Sequence, residues 1–566
     1  MSSNWRVNFL LALFILGGLL VSLRLFYWQV FSFQNLTAMA ESQHWVSFEI
    51  PAKRGEILAK DGSPLAANQE AFLLFASLSE IKDKTDKIIE SLVPLLGTEE
   101  SATTTAMLKE RLERKDLVWV PLQHKISRET KEQIETLKLP GLGFEEEQKR
   151  SYPEGSSSAH LLGFVGSDIN GLEKGYFGLE GYYDLELKGR PGILRREKDA
   201  SGKPILIGEV KKEKQRDGRT LLTTIDRTIQ FLIAEKLKEG LARYGAISGS
   251  VVVMEPQTGA ILGMASLPDY DPENYFSFEK ELYSNPVVAS SYEPGSTFKV
   301  LVMAAALNES VVKPETRCDQ CSGPRVISDY TIKTWNEKYF PESTMTEVIQ
   351  HSDNIGMVFV GEKLGKEKMV DYLERYGLGK PTGIDLEDES SPSLRSAEDW
   401  KQIDLATTSF GQGIALTPIQ MVRAVAVLAN KGHLVTPFLV QRVMTETGEV
   451  EIKSKQTEPI LKSSTAMIMT EMMVNAVENG EAKWAKPKGY RIAGKTGTAQ
   501  IPLAGHYDKE KTIASFVGFA PADDPKFVML VTLREPSSSP WGAETAAPLW
   551  FEIAKEIFTY YGIQPN

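Results

Sequence analysis

The chain has 566 residues, 42% hydrophobic and 25% charged, with a formal net charge of −11. That length exceeds one ordinary domain, and the acidic balance argues against a nucleic-acid partner, whose phosphates need a basic face. Two cysteines in such a chain exclude a disulfide scaffold.

In chain order, the first feature is Val7 to Leu23, VNFLLALFILGGLLVSL, broken only by Asn8 and Ser22. Arg24 and the run Phe26-Tyr27-Trp28 follow. A bilayer core takes about 20 apolar residues, and a snorkelling Arg24 with an interfacial aromatic belt completes the span. We expect a short cytoplasmic tail over 1–6 and an uncleaved anchor over 7–31. Ala38-Met39-Ala40 has the small-residue pattern of a cleavage site but lies far beyond the apolar run. Arg6 before the span and Arg24, Lys53 and Arg54 after it do not decide orientation. The shortness of the preceding segment places the bulk outside the cytoplasm, on a single-pass anchor in the cytoplasmic membrane.

Residues 32–216 read as a non-catalytic pedestal. Arg54 to Ala66 forms a hairpin turning at Asp61-Gly62. Ser79 to Leu139 is helix-rich and charged, and Lys211 to Gly218 is a solvated, charged linker marking the main boundary. From 217 to 566 the pattern changes. Thr220–Ile225 is β-rich and a helix covers Thr228–Tyr244. Strands Ser250–Met254 and Ala260–Ala265 make a hairpin, and Val300–Leu307 is a helix apolar on every side, hence buried. Later strands are expected at Tyr490–Ala493, Ile513–Phe519 and Phe527–Leu533, with a helix at Ala546–Tyr561. The expected fold class is α/β multidomain: anchor helix, α+β pedestal, and a C-terminal domain whose antiparallel sheet carries packed helices.

Three short motifs lie in the last region. Ser296-Thr297-Phe298-Lys299 is S-x-x-K at the start of the buried helix. Helical spacing puts Ser296 and Lys299 on one face, and apolar surroundings depress the lysine so that a neutral amine can serve as base. Ser296 is also a plain N-cap candidate after Pro294-Gly295. Ser352-Asp353-Asn354 is S-x-N, read either as a polar bend before a helix or as a proton relay with an amide-binding Asn354. Lys495-Thr496-Gly497-Thr498 supplies a cation, two hydroxyls and a glycine that a substrate backbone can approach, or else a strand end with a turn. Each pattern alone is weak; Ser277 to Lys280 also matches S-x-x-K. Gly489 to Thr496 fits the phosphate-binding loop G-x-x-x-x-G-K-[ST], but that P-loop NTPase reading needs a strand before the loop and a helix after it. The strand-like Tyr490–Ala493 and the breakers Gly497 and Pro502 deny it both.

The order S-x-x-K, S-x-N, K-T-G is the set found in penicillin-recognising serine enzymes. Tyr292 to Lys299 resembles the active-site signature of class B penicillin-binding proteins. Arg54 to Gly62, Arg150 to Gly155 with Ala159-His160, and Gly178 to Gly181 resemble that family's N-terminal motifs, and Ser409 to Gly413 with Thr417-Pro418 a further catalytic stretch. The resemblance implies a peptidoglycan D,D-transpeptidase that is acylated by β-lactams. Ser296 is then the nucleophile and Lys299 the base. Ser352 and Lys495 move protons, Asn354 holds the donor peptide, and Thr496, Gly497 and Thr498 bind its D-Ala-D-Ala end. It implies no cofactor and no metal. It further implies a membrane-embedded glycan polymerase and division proteins as partners, and Glu293-Pro294-Gly295 resembles the septal branch. Two rivals share the motifs: a D,D-carboxypeptidase or β-lactam hydrolase, which sends the acyl group to water, and a non-enzymatic β-lactam sensor. Cys318-Asp319-Gln320-Cys321 departs from the family pattern and is open to a disulfide, half a zinc site or two thiols; an extracytoplasmic location favours the disulfide.

Overall fold

The computed structural model describes residues 4–81, 85–96, 101–114, 116–169, 171–197, 210–445, 448–452, 454, 456–503 and 506–565. Residues 1–3 of the expected tail lie outside them. The chain forms two compact units, Met1–Arg54 with Lys188–Gly218, and Gly55–Leu187 with Arg219–Asn566.

The first unit begins with the helix Trp5–Phe26, which runs through a π-turn, Tyr27–Phe31, and has no buried residue. Twenty-two residues at 1.5 Å each span roughly 33 Å, the thickness of a bilayer core. Among the described residues, Trp5–Phe31 is the one helix long and apolar enough to cross a membrane. The Arg24 guanidinium lies 5.5 Å from the Tyr27 ring and 5.0 Å from the Trp28 ring. An antiparallel sheet of Trp45–Ile50, Gly192–Glu197 and Val210–Glu213 completes this unit. The expected solvated linker is therefore a strand at its start. Val210–Glu213 has only exposed side chains, as its charges require, but its backbone pairs with Ile193–Arg196, a distant partner that local composition does not reveal.

In the second unit the hairpin of Ile57–Leu58 and Pro64–Ser77 forms as expected. The long strand also pairs with Trp119–Ile126 and Leu142–Ser151. Helices Thr85–Leu96, Ser101–Leu112 and Arg128–Thr136 occupy the helix-rich stretch. Their apolar sides and the sheet bury a small core around Phe72, Leu74, Ile88, Leu92 and Leu122. Two sequence motifs meet here: Arg150 Nε donates to Glu180 Oε1 at 2.6 Å in a buried pair, and Arg150 Nη1 donates to Asn68 Oδ1 at 3.0 Å. Thr220–Thr223 joins this part to the rest, pairing in parallel with Ile57–Leu58 and antiparallel with Val440–Thr445.

The sheet that positions the site has five antiparallel strands in the order Ile261–Leu267, Ser248–Met254, Phe527–Arg534, His506–Ala520, Ala493–Leu503. It is covered on both faces, and the period of two sorts its residues cleanly. Val251, Val253, Phe516, Met529 and Val531 pack with helices Arg227–Tyr244 and Ala546–Tyr560. Val252, Met254, Val517, Phe519 and Leu530 face the opposite layer, which holds the helices Lys299–Asn308, Asn354–Leu364 and Pro418–Ala429. Every residue from Lys299 to Leu307 is buried, as the absence of a polar face dictates. The strand expected at Tyr490–Ala493 starts only at Ala493, whose partner is Phe519. The neighbouring strand ends at Ala520, so the ladder stops there; beyond it a single backbone bond, Ala522 N to Arg491 O at 2.9 Å, remains, and Tyr490 stacks on Phe558 at 4.3 Å.

Candidate active site

Gly295–Phe298 forms a 3₁₀ turn that passes directly into the helix Lys299–Asn308. In a 3₁₀ turn residues i and i+3 eclipse, so Ser296 and Lys299 leave the same side. The turn is held from behind by the Ser409–Gly413 stretch. Gly295 N donates to Gly411 O at 3.0 Å, and Tyr292 and Leu416 exchange two backbone hydrogen bonds. Gly413 N donates to Glu293 Oε1 at 3.2 Å. A β-carbon on Gly411 would stand 2.1 Å from Gly295 O, so only glycine permits this approach.

Lys299 is fully buried. Its Nζ donates to Ser352 O at 2.6 Å, to Asn354 Oδ1 at 2.8 Å and to Ser352 Oγ at 3.3 Å. Ser352 adopts a left-handed backbone with φ of 55°, an uncommon state for a residue with a side chain. Asp353 Oδ1 then accepts from Ile355 N at 2.8 Å and caps the helix Asn354–Leu364. S-x-N is thus a bend before a helix that also brings the side chains of Ser352 and Asn354 to Lys299. Asn354 Nδ2 donates to Lys333 O at 2.9 Å.

Lys495 lies inside the strand Ala493–Leu503, not at a strand end, and a second strand rather than a helix follows. The phosphate-loop reading therefore has no structural basis. Lys495 Nζ donates to Ser352 Oγ at 3.0 Å and to Thr496 Oγ1 at 3.1 Å. A β-carbon on Gly497 would meet Ser515 Oγ at 2.4 Å and Thr297 Cγ2 at 2.7 Å, so the bare glycine lets this strand lie against the nucleophile turn. Thr498 Oγ1 accepts from Gly542 N at 3.0 Å.

The hydroxyl of Ser352 is thus shared by two buried lysines that are distant in sequence. Burial, reinforced by the charge of Lys495, drives Lys299 well below the usual lysine range. Burial also lowers Lys495 to about 8, against the pull of Glu481. The carboxyls of Asp353 and Glu481 are raised, mainly by desolvation.

In front of these groups is a cavity of about 220 Å³, lined by Ser296, Ser352, Asn354, Thr496, Gly497 and Thr498 among others. All eight expected residues therefore converge: six line the cavity and the two lysines sit behind it. Sequence reasoning missed Trp335, Glu481 and Trp541, which also line it. Each comes from a connecting segment with no local motif. Cys318 and Cys321 are buried and form a disulfide. No cluster of three or more metal-ligating side chains occurs among the described residues.

A serine at the head of a buried helix, a lysine one turn on, and a second lysine on an edge strand define the site as that of a β-lactam-recognising serine enzyme. Comparison with known proteins agrees. Residues 249–559 match the penicillin-binding protein transpeptidase domain, and 49–223 the penicillin-binding protein dimerisation domain. The chain is 34% identical to stage V sporulation protein D of Bacillus subtilis, over 99% of this chain and 86% of that one. It is 29% identical to peptidoglycan D,D-transpeptidase FtsI of Escherichia coli K12, over 100% and 93%. Among solved structures, penicillin-binding protein 2X of Streptococcus thermophilus superposes with a TM-score of 0.75 at 25% identity, covering 91% of this chain and 80% of that one. The chain belongs to the class B penicillin-binding protein transpeptidase family and is a serine-type transpeptidase.

Proposed function

We propose that this transpeptidase cross-links peptidoglycan stem peptides. Ser296 attacks the penultimate D-alanine carbonyl, terminal D-alanine leaves, and an amine of a neighbouring stem takes the acyl group. Lys299, neutral through burial, accepts the Ser296 proton. Ser352 and Lys495 pass a proton to the departing amine. Asn354 holds the donor amide, and the hydroxyls of Thr496 and Thr498, flanking the open Gly497, bind the terminal carboxylate. Backbone N–H groups of Ser296 and Thr498 receive the oxyanion, a contribution of about 3–4 kcal/mol in comparable sites. The observation that carries this reading is the position of Ser352 Oγ, 3.3 Å from Lys299 Nζ and 3.0 Å from Lys495 Nζ, beside a cavity that also holds Ser296.

Residues 217–566 form the catalytic domain in this proposal and 32–216 a non-catalytic pedestal. The helix Trp5–Phe31 anchors the chain in the cytoplasmic membrane with the catalytic domain outside. A membrane glycan polymerase and division proteins are the proposed partners, in septal wall synthesis. Likeness to FtsI and the Glu293-Pro294-Gly295 sequence support the septal assignment. The decisive experiment gives the purified chain a donor stem peptide and an amine acceptor and separates products by mass. Cross-linked product supports the reading; release of D-alanine with only hydrolysed donor would make the chain a carboxypeptidase. Depletion in cells should give filaments with unfinished septa, and swollen round cells would overturn the septal role. N-terminal sequencing of the mature protein should find the apolar segment retained; a start at Glu41 would refute the anchor.

A further inference from the structure

The cavity in front of Ser296 is built for carboxylate-bearing substrates, yet its own charge has the wrong sign for them. Fifteen residues line it, and of these Glu481 alone has an ionisable side chain, apart from the serine and threonine hydroxyls. The two lysines are behind the wall, fully and nearly fully buried, with Nζ groups engaged by Ser352, Asn354 and Thr496. Glu481 follows the helix Ser463–Asn479 and precedes the strand that carries Lys495. It is half-buried, and it lines the cavity. Neither lysine is within hydrogen-bonding distance of it among the bonds each makes.

Two indoles stand on the same wall. Trp335 and Trp541 have ring centroids 4.9 Å apart at 59°, and both line the cavity with Glu481. Trp335 is 41% exposed, although an indole of that size gains by burial. A half-buried carboxylate beside two indoles, one of them hydrogen-bonded to it, is an arrangement that attracts an ammonium group, through charge and through the ring quadrupoles. The donor's carboxylate goes to the hydroxyls around Gly497. The second substrate of a transpeptidase is an amine, which is cationic in water near neutral pH and which a charged Lys495 repels.

We infer that Glu481, walled by Trp335 and Trp541, is the recognition group for the ammonium of the acceptor and so determines which nucleophile the acyl-enzyme meets. This rests on the transpeptidase reading. Glu481 is a positioning residue: it concentrates the amine at the Ser296 ester. The bound ammonium releases one proton to solvent water. The neutral amine then attacks the ester carbonyl, the new C–N bond forms as the Ser296 C–O bond breaks, and the second amine proton restores the Ser296 hydroxyl.

The test uses the full chain in detergent, a thioester analogue of the donor, and a D-amino acid as acceptor. Aminolysis and hydrolysis of the same acyl-enzyme are counted together as acceptor is titrated. Glu481→Gln should raise the half-saturating acceptor concentration about tenfold, as loss of one charge-assisted contact does. Glu481→Asp should recover part of that loss, and Trp335→Leu, at an exposed position, should weaken the acceptor by a smaller factor. A residue that only props the site would slow aminolysis and hydrolysis in the same ratio and leave half-saturation unmoved; that result, or no effect of Glu481→Gln, overturns the inference. A wild-type acyl-enzyme that passes only to water would overturn the transpeptidase reading itself.

Discussion

Lys299 donates a hydrogen bond to the main-chain oxygen of Ser352 at 2.6 Å, the tightest of its three contacts. The side chain proposed as the base therefore also holds the left-handed turn that aims the Ser352 hydroxyl. Non-glycine residues in that region cost about 1–3 kcal/mol and persist only when their surroundings hold them.

Lys299→Ala should consequently lose more than a base. Penicillin acylation should fall by about 10²–10⁴-fold from the missing proton acceptor, with a further loss as Ser352 relaxes. Stopped-flow acylation with a fluorescent penicillin measures the rate, and a thermal melt shows whether the domain stays folded. Ser296→Ala should abolish the adduct altogether. Mass spectrometry that locates the penicilloyl group on Ser352, or a folded Lys299→Ala chain acylating at the wild-type rate, would contradict the assignment.

The two lysines predict the pH profile. In the proposed mechanism Lys299 works as the neutral amine, and burial with a neighbouring cation places its deprotonation well below the usual range. The same proposal has Lys495 work as the cation, and burial puts its loss of charge at about 8. Acylation should rise with pH as Lys299 loses its proton and decline as the pH passes about 8 and Lys495 follows. Lys495→Arg, which stays charged, should flatten the alkaline limb even if its rate is lower. An unchanged alkaline limb in that variant would show that another group titrates there.

Gly411→Ala should damage the site without touching a catalytic side chain. Its β-carbon would be 2.1 Å from Gly295 O, at a position with φ of 83°. Backbone cannot yield as a flexible side chain can, so the nucleophile turn must move. Stability should drop by about 2–4 kcal/mol, and acylation should slow markedly in protein that is still folded. Wild-type acylation and melting would mean that the turn tolerates displacement.

Cys318 and Cys321 close a loop of very few residues. The chain-entropy contribution of such a loop is about 2 kcal/mol at most, and neither sulfur lies in the cavity wall. The double serine variant should melt a little earlier and acylate penicillin at close to the wild-type rate. A large loss of acylation in folded protein would give the bridge a role in the site that its location does not suggest.

Much of this was legible in one dimension. Ser296 to Lys299 lies within one turn, so local helical geometry alone brings the pair to one side. The unbroken apolar run Val300–Leu307 required a buried helix, and the hairpin of Ser248–Met254 with Ile261–Leu267 was marked by its own turn. The long apolar helix Trp5–Phe31 was equally plain, because length and apolarity are read residue by residue. The order of the three motifs identified the chemistry, since each adds a group that the others lack.

Only the tertiary structure decided which groups share a space. Ser352 meets Lys299 across 53 residues and Lys495 across 143, separations over which no periodicity operates. The depression of both lysines comes from burial by layers that lie far away in the chain. Strand limits also depended on partners: Ala493 begins its strand where Phe519 is available to pair, and Val210–Glu213 is a strand because Ile193–Arg196 lies beside it. Glu481, Trp335 and Trp541 carry no motif at all. They line the same cavity because three connecting segments converge there, and long-range packing alone determines that convergence.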